Sequence, residues 1–283
     1  RHNWLAIFPA VQYASVIEDR HMKMRIIQWN ISYNSKAEIL YEFLSNSINE
    51  LTIVCLQEVS ENQNKKLLNL LKPTDHAYSL DMRNPGTYEG KNRRMGVSTY
   101  IFGGSIIEKS LIDRSLFPER TLVTKLDFSE TLISILNFHS LTGVGYKKGK
   151  ASNFASIADF ISSHALDFFS CDANEPKIDS LYYENLKFFD NGDKGRNASL
   201  IFGVDRVHEL SDSYRQYVSC LGDQLDLDPM VTSHIIAKKY RRRYDHIFSS
   251  KAWSVLNVKY PYEESIQATS DHSAVIADFL FND

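Results

Sequence analysis

The chain of 283 residues is 43% hydrophobic and 24% charged, which excludes a disordered or collagen-like polypeptide and suits a globular fold with a substantial core. Its formal net charge of −3 excludes a global field drawing the whole molecule to nucleic acid or an anionic membrane, so any attraction for a polyanion is local. Three cysteines without paired spacing, Cys55, Cys171 and Cys220, argue against a disulfide framework and fit a reducing, cytoplasmic compartment.

Residues 1–22 read as an N-terminal extension. Its apolar stretch WLAIFPAV is short and broken by Pro9, so it suits neither a membrane span nor a signal peptide. From 23 to 283 no repeat, low-complexity tract or linker interrupts the chain, and one continuous domain is expected. MRIIQWNI (24–31) and LTIVCLQEV (51–59) are rich in β-branched and apolar residues and read as strands. Between them SKAEILYEFLSNSI (35–48) reads as a helix, with Ser35 as N-cap, Glu38 three residues on as in a capping box, and Ile39, Leu40, Phe43 and Leu44 as the apolar stripe.

Strands are then expected at 97–102, 105–112, 121–128 and 131–140, the last two spaced like a hairpin across Ser129 and Glu130. A helix follows in KASNFASIADFISSHA (150–165). In LDFFSCDANEP (166–176) an apolar strand runs out into an acid and an amide; strand alternation puts Asp172 and Asn174 on one side, and Pro176 closes the strand. Strand-like runs return at 244–250, 253–260 and 273–281. Many strands in consecutive pairs, with few helices between, imply an α+β fold of two packed sheets with helices outside.

Polar groups recur where these strands end: Asn30, Glu58, His139, Asp172 with Asn174, Asp245, and Asp271 with His272. Singly each has an ordinary explanation, such as a turn for Asn30, a cap for Asp271 or an ion pair with Arg243 for Asp245. Turn chemistry alone does not account for the whole series. The ordered set QWN, LQE, NFH, CDAN, RYDHIF and SDH resembles the endonuclease/exonuclease/phosphatase superfamily over nearly the whole chain. The resemblance implies a four-layer α/β/β/α sandwich of two mainly antiparallel sheets, with hydrolysis of phosphoesters dependent on Mg²⁺ or Mn²⁺ at the sheet rim.

A phosphodiester repels hydroxide and has a poor leaving group, so a hard cation held by carboxylate and amide oxygens suits the chemistry. By the resemblance, Glu58 holds the metal with Asn30 and Asp271. Asp172 orients or deprotonates the attacking water, and Asn174 and His139 donate to the non-bridging oxygens. His272 sits beside the phosphate with Asp245 fixing its tautomer. One departure stands out: apurinic endonucleases read Trp-Asn-x-Asp in the first motif, the aspartate helping to hold metal, and this chain has Ser32 in its place.

Basic clusters at 91–94, 146–150 and 238–246, with Tyr146, Tyr240 and Tyr244 interleaved, suggest contacts to a polyanionic substrate through Arg94, Lys147, Lys148, Arg243 and Tyr244. The leading reading is a nuclease cleaving phosphodiesters in nucleic acid. Alternatives are a sphingomyelinase-like or inositol-phosphate phosphoesterase, with a lipid substrate still open, and a non-catalytic module binding nucleic acid or protein.

Overall fold

Periodicity and composition place the longer strands where the structure has them, while four short strands at 75–78, 211–212, 234–236 and 240–242 fall where none was expected. The structure, a computed structural model, describes residues 22–84, 94–128, 130–144, 147–222 and 226–282. The expected extension up to residue 21, the basic residues 91–93 and Tyr146 lie outside the described residues. One six-stranded sheet contains β1 (Lys23–Asn30), β2 (Thr52–Val59), β3 (Asp75–Tyr78), β4 (Gly96–Phe102), β13 (Trp253–Lys259) and β14 (Val275–Phe281), in the order β13-β14-β1-β2-β4-β3. The other contains β5 (Ser105–Ser110), β6 (Thr121–Phe128), β7 (Thr131–His139), β8 (Phe168–Asp172), β9 (Ser211–Asp212) and β12 (Asp245–Ser249), in the order β5-β6-β7-β8-β12-β9. A short hairpin pairs β10 (His234–Ile236) with β11 (Tyr240–Arg242). Each large sheet has a parallel pair at its centre, β1–β2 and β7–β8, among antiparallel neighbours.

Side-chain alternation along each strand builds three layers of apolar packing. Met24 and Ile26 of β1 join Ile53, Ile135, Phe168 and Ile247 between the sheets. Ile27 and Trp29, on the opposite face, pack with Leu40 and Leu44 of α1 (Ala37–Ser45) and Leu67 of α2 (Glu61–Leu71). On the far side, Leu136 and Phe138 of β7 and Phe169 of β8 pack with Phe154 and Ile157 of α4 (Lys147–Ser163) and Phe202 of α5 (Arg196–Phe202). The remaining α-helices among the described residues are α3 (Ser79–Met82), α6 (Ser213–Cys220) and α7 (Tyr262–Gln267). The result is an α+β sandwich with helices outside.

Two local expectations are corrected. Helix α1 is capped by the backbone of Lys36 without a side-chain bond, while the Ser35 hydroxyl is drawn away to donate to the Thr269 carbonyl at 2.6 Å. The capping box belongs instead to α2, where Ser60 and Gln63 bond reciprocally. In LDFFSCDANEP the strand stops at Asp172, and Asn174 turns into the left-handed region at φ 51°. Its relation to Asp172 is therefore a turn, with the Asn174 N–H donating to Asp172 Oδ1 at 3.0 Å.

The inter-sheet face changes character along the strands, and this change positions the site. After Met24 and Ile26, the same face of β1 carries Gln28 and Asn30; after Ile133 and Ile135, β7 carries Asn137 and His139. Phe168 of β8 is followed on that face by Ser170 and Asp172, and Ile247 of β12 lies two residues from Asp245. Both sheets thus turn polar toward one rim.

Candidate active site

Strand register sets the first row of the site. His139 pairs with Asp172 across the parallel β7–β8 ladder, and Asp172 pairs with Asp245 across the antiparallel β8–β12 ladder. The facing sheet contributes Asn30, whose Nδ2 donates to Asp172 Oδ2 at 2.9 Å. His139 Nε2 lies 3.5 Å from that same oxygen, and His272 Nε2 lies 3.8 Å from it. Asp172 is therefore the hub, buried at 1% exposure, with groups from both sheets converging on one carboxylate oxygen.

His272 comes from the loop before β14, and that loop is stitched to the end of β1. Trp29 Nε1 donates to the His272 carbonyl at 2.9 Å, and the Ser270 hydroxyl donates to the Asn30 carbonyl at 2.6 Å while accepting the His272 N–H at 3.0 Å. Its Nδ1 meets Asp245 Oδ2 at 2.8 Å. Asp245 is held on its other oxygen by Gln28 Nε2 at 2.9 Å. Gln28 begins a buried run of amides between the sheets: it also donates to Gln57 Oε1, and Gln57 donates to Asn137 Oδ1, each at 2.8 Å. Sequence reasoning missed Gln28, Gln57 and Asn137; their signal was an amide at an inner-face strand position otherwise filled by Ile or Cys.

Glu58 reaches the rim through a backbone irregularity. Its φ of 57° interrupts the β2–β4 register between Leu56 and Val59. The carboxylate accepts the Tyr33 N–H at 3.3 Å and stands 3.8 Å from His139 Nε2. Its side chain is 27% exposed.

The charges follow from burial and neighbours. Burial is the larger influence on Asp172 and, with the Asp245 carboxylate, raises it to about 7 against the pull of His272. Burial would discharge His272, but Asp245 and Asp172 overcome it and raise the imidazole to about 10, so it is a cation at neutral pH. Burial also opposes ionisation of Asp245, and His272 outweighs it, holding that carboxyl below its usual range. His139 is pushed well down by burial, Arg120 and His272, and is neutral.

Ionisable donors gather in two sets among the described residues: Asp172, Asp245 and His272, and His234, Asp271 and His272. Asp271, expected with Asn30 and Glu58, is exposed and belongs to the second set. For the cation implied by the fold family, Glu58 offers a partly exposed carboxylate, and Asn30 offers an amide oxygen that also accepts the Ser32 N–H at 3.0 Å. These hard oxygens fit a Mg²⁺ that keeps several waters; Ser32 adds no second carboxylate.

The expected substrate contacts divide. Arg94, Lys147 and Lys148 are exposed. Arg243 is corrected: it is fully buried in the short link between β11 and β12, pairing with Asp179 and Asp212 at 2.8 Å each. Tyr244 is buried at 3% exposure and lines a cavity beside Asn174. Lys150, one turn into α4, was not singled out in the sequence. It is buried, donates to the Asn174 carbonyl at 2.7 Å and pairs with Glu175 at 2.8 Å, so it braces the turn that carries Asn174.

No family model and no curated protein matches the chain, but solved structures do. A D. rerio TDP2 complexed with single-strand DNA product matches at TM-score 0.63 and 15% identity, over 91% of this chain and 98% of that one. An endonuclease/exonuclease/phosphatase protein from Bacteroides vulgatus matches at 0.62 and 16%, over 92% and 100%. The human Nocturnin catalytic domain with bound sulfate matches at 0.61 and 17%, over 92% and 95%. At these identities the likeness is one of architecture, and it agrees with the two-sheet sandwich: the chain has the endonuclease/exonuclease/phosphatase superfamily fold.

Proposed function

We propose that the chain is a divalent-metal-dependent phosphoester hydrolase, acting as a nuclease on phosphodiester bonds in nucleic acid. The observation that carries this reading is the environment of Asp172: a buried carboxylate raised to about 7, with a neutral and a cationic imidazole 3.5 and 3.8 Å from one of its oxygens. Such a group accepts a proton from water near neutral pH, where general-base catalysis is most effective. The water oxygen bonds to phosphorus, its proton passes to Asp172, and the ester oxygen leaves. The cationic His272, fixed by Asp245, donates Nε2–H to a phosphate oxygen as charge accumulates. His139 and the Asn174 amide serve the other non-bridging oxygens. Asn30 and Glu58 would hold the cation, whose contribution is to neutralise charge on the phosphate.

The basic groups Arg94, Lys147 and Lys148 support a polyanionic substrate, and the D. rerio protein of the same fold is complexed with a single-strand DNA product. The test is a panel of DNA, RNA, sphingomyelin, inositol phosphates and nucleotides, with Mg²⁺ or Mn²⁺ and with chelator. Cleavage of nucleic acid, stopped by chelator and reduced about 10²–10⁴-fold in Asp172→Asn, is expected. Full turnover in the folded Asp172→Asn protein would refute the assignment of the base. Turnover confined to sphingomyelin or inositol phosphates would keep the chemistry and discard nucleic acid.

A further inference from the structure

One face of the His272 ring is covered by a second imidazole. His234 stacks on it with ring centres 4.2 Å apart and planes at 22°, and the start of β10 also brings the two residues into an antiparallel backbone bridge. His234 is itself held: its Nδ1–H donates to the Asp271 carbonyl at 2.9 Å, and the Tyr244 ring lies 6.0 Å away at 24°. Burial, with the neighbouring His272 cation, lowers the His234 imidazole and leaves that ring neutral. Resting on the hydrolase reading above, we propose that His234 is a positioning residue, whose ring clamps the face of His272 and keeps its Nε2–H aimed at the phosphate.

The need for a clamp follows from how little else holds the ring. Among the described residues, the hydrogen bond made by the His272 ring is the one from Nδ1 to Asp245. Nε2, 3.8 Å from Asp172, stays open for the phosphate. A single bond at one ring atom leaves the imidazole free to swing about that contact, and a second ring against its face removes the swing. A neutral π face also attracts the cation, which an aliphatic side chain there would not. The backbone carrying His234 is tied to both members of the pair it serves. Next to it, Ser233 Oγ accepts the Tyr244 and Asp245 N–H groups at 2.8 and 3.3 Å, and the Ser233 carbonyl accepts the Ser273 N–H at 2.7 Å. The β10–β11 hairpin is thereby fixed against β12 and the His272 loop at once. Metal ligation by His234, Asp271 and His272 fits less well. Two rings stacked face to face at 22° do not direct their nitrogens to one ion at the roughly 2 Å that ligation requires.

The test combines proton NMR of the histidine rings with steady-state cleavage of single-stranded DNA in Mg²⁺. In the unaltered chain the His272 ring protons should lie upfield, shifted by the stacked ring; His234→Phe should keep that shift and His234→Ala should lose it. His234→Ala should lower kcat about 10–10²-fold and leave KM within about twofold, because a misaimed donor is missed chiefly in the transition state. His234→Phe, which keeps a ring on the cation, should recover kcat to within about threefold. His272→Ala and the double variant His234→Ala/His272→Ala should turn over equally, since the clamp then has nothing to hold. An unchanged kcat in His234→Ala, or losses that multiply in the double variant, would overturn the inference. So would a His234→Phe protein that keeps the ring shift and stays as slow as His234→Ala, which would make His234 a polar contact to substrate. A ring shift lost in His234→Ala, with no ester hydrolysed by the unaltered chain, would support the clamp while removing the catalytic reading.

Discussion

Asp172, His272 and Asp245 have protonation states set by one another, so their titration reports on the site. A raised His272 means that the native state holds its proton more tightly than the unfolded chain, whose imidazole titrates near 6.5. Its stabilisation is fully present below that value and is lost as pH rises through about 10. Urea midpoints of the unaltered chain and His272→Ala should therefore differ most below pH 6.5 and converge by about pH 10. Asp172 is an acid whose shift has the same sign: native protonation persists to about 7, so its contribution to stability also falls as pH rises, here from about 4 to 7. If it is the base, kcat/KM should climb through the same region; a rate flat from pH 5 to 9 would remove it. Arg243 shows how a charge can be misread from sequence. Arg243→Ala leaves Asp179 and Asp212 with one guanidinium, Arg215, in place of two, and should cost about 3–5 kcal/mol in urea unfolding.

Helix α2 links the rim to the core. It begins just after Glu58, is closed by the Ser60–Gln63 box, and anchors to β4 where Asn64 accepts from Ser98 at 2.9 Å and Tyr100 at 2.7 Å. Gln63 also donates at 3.0 Å to the carbonyls of Ser32 and Ser35, tying the β1–α1 turn to the same helix end. Ser60→Ala should cost about 1 kcal/mol of stability, read as a lower urea midpoint with unchanged slope. On the opposite side, α4 supplies Lys150 as the brace beneath Asn174, an arrangement in which one buried pair serves both the turn and the cavity wall.

Across the whole molecule, a net charge of −3 leaves attraction for nucleic acid to local clusters. Affinity for single-stranded DNA should fall steeply with salt, and Lys147→Ala or Lys148→Ala should each reduce the log–log slope by about 1. A slope unchanged in the double variant would take α4 out of the substrate path. The amide run Gln28–Gln57–Asn137 joins the two sheets directly beneath the rim, where apolar packing alone would not specify how one sheet's polar edge meets the other's.

Local pattern alone determined the longer strands, the α1 and α4 segments and the polar strand ends, because alternation and helical period express which faces must leave water. It also carried the motif order that resembles the superfamily, from Asn30 and Glu58 to His272. Tertiary structure decided what those groups face. Burying Arg243 against Asp179 and Asp212, turning Asn174 out of the strand, grouping Asp271 with His234, and placing Lys150 under the site all depend on neighbours tens or hundreds of residues away. A side chain's charge, direction and partner are set by the electrostatics and packing of the assembled sheets, which no local window of sequence contains.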